Sequence, residues 1–200
     1  MRGPICIWYD GLMLWFRHLS VEFGPVVIFF VVDGWYGFTA ATAAMVVATV
    51  LGVLLNWLLG DRPPLFAIVS TLAVTLFGAA SIAYDDPTYF ILSDTILDGL
   101  FGLILLGSLL LKKPILQTLF ERSFAITDRA WRILSVRWGV FFLLLAATNE
   151  FIRLSYSEAV WVNFKLATVF IITAFGCYQF TLSVRERIPG ESNWLGLRIK

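Results

Sequence analysis

The chain has 200 residues, 59% of them hydrophobic and only 14% charged, with a formal net charge of +1. Soluble domains carry about 25% charged residues, so this composition leaves too little polar surface for a water-solvated particle and describes an integral membrane protein. The length excludes a large multidomain receptor, and the near-zero net charge excludes a global field for capturing nucleic acid.

Residues 1–20 contain Asp10, Arg17 and His18, which interrupt any apolar core of a cleavable leader. The segment is expected to be retained, either flexible or lying along the membrane surface on Trp8, Tyr9, Trp15 and Phe16. Cys6 and Cys177 have neither redox-pair nor metal-ligand spacing, and His18 is the only histidine, so no disulfide framework, metal site or cofactor is expected.

A membrane-crossing helix needs about 20 mostly apolar residues. Five runs satisfy this: 37–59, 65–84, 94–111, 136–156 and 163–184. A sixth, 21–36, is shorter, with Glu22 at its start and Asp33-Gly34 near its end. Asp61-Arg62-Pro63-Pro64 and Asp85-Asp86-Pro87 break the runs, because proline lacks an amide donor and drives the preceding residue out of the helical region. Ser93 or Asp94 is the expected N-cap of the fourth run, and Lys112-Lys113-Pro114 ends it. The predicted fold is therefore an all-α polytopic transmembrane bundle of six segments, the first short, or five if that segment stays out of the bilayer. It comprises a leading segment 1–20, a bundle 21–184 with a basic connection 112–137, and a tail 185–200.

Basic residues sort with this topology. With six spans, the leading segment, the Arg62 turn, the 112–137 connection and the tail hold two, one, six and four, against Arg153 and Lys165 on the other face. Cytoplasmic loops are the Lys- and Arg-rich ones, so both termini are expected in the cytoplasm. Aromatic residues mark the interfaces: Trp35, Tyr36, Tyr84, Tyr89, Tyr156 and Trp161 outside, and Trp57, Trp131 and Trp138 inside.

Helices pack in lipid through small residues. Ala40, Ala44, Ala48, Gly52 and Asn56 form such a row on the second run, and Ala67, Thr71, Thr75, Ala79 and Ala83 on the third. These rows are expected to meet in a hairpin, leaving Val46 and Val47 off the contact.

Candidate chemistry is confined to charged groups near the bilayer. Asp94 and Asp98 share a helix face, as do Glu150 and Arg153. With Asp33 and Lys165 these six gather at the outer ends of the runs, as one polar pocket or as side chains snorkelling separately to the surface. Lys165 is read at a helix start, where a cation is disfavoured, so Glu150, Glu158 or a lipid phosphate is expected to compensate it. In the connection, Pro114 can begin one short helix, and Thr127 or Asp128 can cap a second with Trp131, Leu134 and Trp138 on one side. Such interfacial helices would place Lys112, Lys113, Arg122, Arg129, Arg132 and Arg137 against lipid headgroups, although topology alone already calls for such charge.

Several stretches resemble the bacterial intracellular septation protein A family: Phe23 to Phe30, Ala40-Ala41-Thr42-Ala43, Lys112-Lys113-Pro114 with Gln117, and Trp161-Val162-Asn163-Phe164-Lys165. Trp131, Trp138, Phe141-Phe142 and Asn149 belong to the same likeness, which covers roughly 21–184. The first twenty residues look like an addition or a misassigned start, with Met13 an alternative. The resemblance implies a bacterial inner-membrane location and a role in division and envelope maintenance, with membrane lipids and other division or envelope-synthesis proteins as partners. It supplies no catalytic residue, and the sequence has no nucleotide, metalloprotease or hydrolase motif; no enzyme activity is expected. The rival readings are a small-solute or ion transporter and a membrane enzyme acting on lipid or lipid-linked precursors.

Overall fold

The computed structural model describes residues 24–58 and 65–198. The leading segment with its aromatic residues, His18 and Cys6, and the Asp61 to Pro64 turn, lie outside the described residues. The helices are α1 (Gly24–Tyr36), α2 (Phe38–Leu58), α3 (Leu65–Tyr84), α4 (Pro87–Gly107), α5 (Ile115–Phe120), α6 (Asp128–Ser155) and α7 (Glu158–Arg185). A 3-10 turn, Ser108–Leu110, extends α4. Among the described residues β-structure is limited to isolated bridges. α2, α4 with its 3-10 turn, α6 and α7 are each long and apolar enough to cross a membrane, and α1 and α3 are shorter apolar helices. The chain is an all-α polytopic membrane protein.

Two compact units divide it, Met1–Ser93 and Asp94–Lys200. In the first, one residue separates α1 from α2. Gly37 takes a left-handed φ of 81°, which a glycine adopts without Cβ strain, and its N–H closes α1 by donating to the Asp33 carbonyl at 3.0 Å. Phe29, Phe38 and Phe90 are all buried, with ring centroids 5.6 to 5.9 Å apart.

The α2–α3 pairing expected from the small-residue rows is present, but it is centred elsewhere. A Cβ at Gly78 would stand 2.5 Å from Val46 Cγ2 and 3.5 Å from Thr42 Cγ2. Gly78 is thus the close-approach point and Val46 lies on the contact. Ala79 and Ala83, assigned to the α3 row, are exposed. A strict four-residue step drifts around a helix of 3.6 residues per turn, which carries the end of the row off the interface.

α4 begins earlier than expected. Asp86 Oδ1 accepts the Thr88 N–H at 2.9 Å, and Pro87 occupies the first helical position, where its missing N–H costs nothing. Ser93 and Asp94 are therefore interior positions, not caps; the Ser93 hydroxyl donates to the Phe90 carbonyl at 2.6 Å. Asp85 makes the preceding turn with a positive φ of 50°.

In the second unit α4 and α6 cross glycine on glycine. A Cβ on Gly102 would lie 2.7 Å from Leu143 Cγ and 2.9 Å from the Gly139 carbonyl oxygen, and one on Gly139 would lie 2.7 Å from Leu106 Cγ. Each glycine thus receives a leucine of the other helix. Higher up, Phe141 stacks on Phe175 of α7 at 4.1 Å, and Trp138 meets that ring edge-on at 4.9 Å.

The connection holds one short helix rather than two. α5 follows Pro114 as expected, but the helix capped by Thr127, whose side chain accepts the Ala130 N–H, runs on without a break as α6. Trp131 is 3% exposed and packs with Ile126, Ala130 and Leu134, so it is a core residue and not an interface anchor. The tail folds back on this connection. The Ala125 N–H donates to the Gly196 carbonyl, Ile188 N–H to Ala125, and Arg198 N–H to Ser123, each at 2.9 Å. Gly196, at φ +80°, lies so close to the Ser183 carbonyl that a Cβ would fall 2.6 Å from its oxygen.

Candidate functional site

α6 and α7 have 28 residues each, about 42 Å at 1.5 Å per residue, longer than a hydrocarbon core of about 30 Å. Their turn-side ends meet at Tyr156 and Ser157. Lys165 lies seven residues into α7 and Asp94 seven into α4, each about 10 Å from its helix start. Asn149, Glu150 and Arg153 occupy the last two turns of α6. These positions share one depth, at the end of the unit opposite the basic connection.

They are joined by two sets of contacts. In the first, Trp161 Nε1 donates to Asn149 Oδ1 at 2.7 Å, and Asn149 Nδ2 donates to Thr95 Oγ1 at 2.8 Å. The Thr95 hydroxyl in turn donates to Glu150 Oε2 at 3.4 Å. Glu150 is held by a forked pair from Arg153, Nε to Oε2 at 2.9 Å and Nη2 to Oε1 at 2.5 Å, the bidentate geometry in which guanidinium–carboxylate pairs are strongest. In the second set the Lys165 ammonium pairs with Asp94 Oδ2 and stands 5.9 Å over the Trp161 ring, within cation–π reach. Asp98 lies one turn along from Asp94, half-buried, with its charge in range of both Asp94 and Lys165.

Of the six sequence-predicted residues, Asp94, Asp98, Glu150, Arg153 and Lys165 come together in the second unit. Asp33 belongs to the first, half-buried near the end of α1. The Glu150–Arg153 pair is as expected. Lys165, however, pairs with Asp94 on α4, not with Glu150 or Glu158, and it lies two turns inside α7 because Ser157 caps that helix. An ammonium there is compensated by a carboxylate from a neighbouring helix, and no helix-end argument applies. Trp161 is 1% exposed. Its indole is a hydrogen-bonded core group and not an outer interface anchor.

Thr95, Asn149 and Trp161 were missed as site members by charge-based reasoning, since none of them is ionisable. Their signal is polarity inside an apolar run, where an unpaired amide is costly.

At the opposite end Lys112, Lys113, Arg122, Arg129 and Arg132 are exposed. Lys113 pairs with Glu121 at 3.1 Å. Arg137 differs: it is half-buried and turned onto α7, donating to Gln179 Oε1 at 3.2 Å.

Residues 18–186 match the family described as intracellular septation protein A. Over 164 residues the chain is 37% identical to the inner membrane-spanning protein YciB of Bradyrhizobium sp. strain BTAi1, covering 82% of this chain and 78% of that one. The protein of the same name from Afipia carboxidovorans is 34% identical over 85% of this chain and 86% of its own. That from Brucella suis is 32% identical over 88% and 96%. No solved structure matches the chain.

Proposed function

The chain belongs to the intracellular septation protein A family, and from that premise we propose that it is a multi-pass protein of the bacterial inner membrane with a structural or interaction role in envelope maintenance and septation. The observation that supports this reading is the internal closure of the outer polar cluster. Asp94, Glu150, Arg153 and Lys165, with Thr95, Asn149 and Trp161, sit in helices long enough to span, and they hydrogen-bond or pair with one another across α4, α6 and α7. Polar groups spent on each other hold helices together; a transport path would need them facing water or substrate. No catalytic role is assigned to them.

In this reading both termini face the cytoplasm, because the basic residues concentrate on the connection and tail. Membrane lipids are its surroundings, and other division or envelope-synthesis proteins are its partners. The test is site-specific crosslinking in native membranes with identification of captured neighbours. Capture of division or envelope-synthesis proteins supports the reading, and capture of none from probes on any of the seven helices contradicts it.

A second reading, a small-solute or ion transporter, draws on Asp98, a carboxyl within the spanning helix beside an ion pair that is already complete. Saturable flux in liposomes abolished by Asp98→Asn would establish it over the first.

A further inference from the structure

The other end of the α6–α7 pair carries an arrangement that the outer cluster does not explain. Arg137 lies 18 residues from Ser155, about 27 Å along α6, and Gln179 lies 21 residues from Glu158, about 32 Å along α7. Both stand where a hydrocarbon core of about 30 Å gives way to headgroups. Gln179 is 4% exposed. Its Oε1 accepts from Arg137 Nη1, and its Nε2 is buried with no hydrogen-bond partner among the described residues. A buried amide donor left unmet is unusual in a folded protein. Arg137 adds further unused donors. Arg153, Lys165, Lys113 and Arg198 each pair with a carboxylate, whereas no acidic side chain pairs with Arg137 among the described residues. Its guanidinium stands 5.4 Å over the ring of Tyr178, which is 55% exposed, so the guanidinium lies beside a surface open to the surroundings.

We propose that Arg137, Gln179 and Tyr178 form a clamp for the phosphate of a phospholipid headgroup, in the leaflet on the side of the basic connection. The guanidinium N–H groups not used on Gln179 Oε1, together with the unmet amide N–H, call for an anion with several oxygens. The phosphodiester is the anion present at this depth, and the Tyr178 ring offers an apolar wall for the start of an acyl chain. This assignment does not depend on the role given to the outer cluster.

The purified full chain, stripped of lipid in detergent, is titrated with phosphatidylglycerol and bound lipid is counted by native mass spectrometry. Diacylglycerol of the same chains supplies the comparison without phosphate, and inorganic phosphate the comparison without chains. Phosphatidylglycerol should bind the wild type at least tenfold more tightly than diacylglycerol does. Arg137→Gln should weaken it at least fivefold, while Arg187→Gln, exposed just beyond α7, should change it less than twofold. Gln179→Glu guards against a folding artefact: it gives Arg137 an internal carboxylate, so thermal stability should hold or rise while phosphatidylglycerol binding falls at least fivefold. Wild-type binding in both Arg137→Gln and Gln179→Glu overturns the clamp. Inorganic phosphate binding at the same site as tightly as the lipid overturns the lipid assignment.

Discussion

In the first unit α2 and α3 meet where Val46 and Thr42 lie over Gly78, and the surrounding core is three phenylalanine rings. The hydroxyl oxygens of Thr42 and Thr75 and the side-chain Oδ1 of Asn56 are buried there without hydrogen-bond partners among the described residues. In the second unit α4 and α6 also cross on glycines, but a chain of side-chain hydrogen bonds and two ion pairs ties those helices and α7 together. The contrast separates the two means by which helices associate where water is absent, shape and polar pairing. Shape tolerates orphan hydroxyls and fails when volume is added. Pairing tolerates modest volume changes and fails when one partner is removed, because the other is then left charged or unmet.

The largest effect should come from adding volume at the second unit's crossing. Gly139→Leu would drive a side chain into Leu106 and toward the Gly102 backbone, which cannot retreat. A loss of about 3 kcal/mol, at the upper end for overpacking, is expected by thermal unfolding in detergent. A loss below that of Gly102→Ala would break the crossing.

Breaking the pair should come next. Lys165→Met leaves Asp94 without its cation in a mostly apolar setting. Removing one partner of a buried pair costs 3 to 5 kcal/mol, and because both side chains here keep some exposure about 2 kcal/mol is expected. Lys165→Met with Glu150→Gln should be additive, since Glu150 has its own cation in Arg153, and urea unfolding of the three variants decides this. Non-additivity there would merge the two sets of contacts into one.

In the first unit Gly78→Val should cost about 1 to 2 kcal/mol by overpacking against Val46, while Val47→Leu, on an exposed position, should stay within about 0.5 kcal/mol. Hydrogen exchange at α2 and α3 amides gives the readout for that unit alone. The smallest effect is expected at the indole. Trp161→Phe keeps an aromatic ring but removes the indole N–H that donates to Asn149 Oδ1, and about 1 kcal/mol should be lost, visible as a fall of a few degrees in melting temperature.

How much of this was legible in the sequence follows the range of the forces involved. The all-α polytopic class is a local property of run length and composition, and it read out directly. The start of α4 did not, because a proline that breaks a helix from inside opens one at its first position, and Asp86 supplies the cap that decides between the two. The i, i+3 partnership of Glu150 and Arg153 lies within one helix and was legible. The partner of Lys165 was not, since the register of α4 against α7 has no local signature. Tryptophan suits both a headgroup interface and a packed core; Trp131 and Trp161 took the second role because neighbours on other segments enclose them, and for Trp161 because Asn149 meets its N–H. The proposed phosphate clamp combines one legible element, a basic residue near a span end, with one set by tertiary packing, the unmet amide of Gln179.

The proposed structural clasp at the α6–α7 turn is open to a double-mutant cycle of Asp94→Asn with Lys165→Met. Stability in detergent and complementation of an envelope or division defect are measured on the same four proteins. The double variant should regain at least about 1 kcal/mol relative to the additive sum and recover function in step with stability. Additive losses, or a double variant restored in stability but still inactive, would contradict the clasp and return the pair to a role in chemistry or transport.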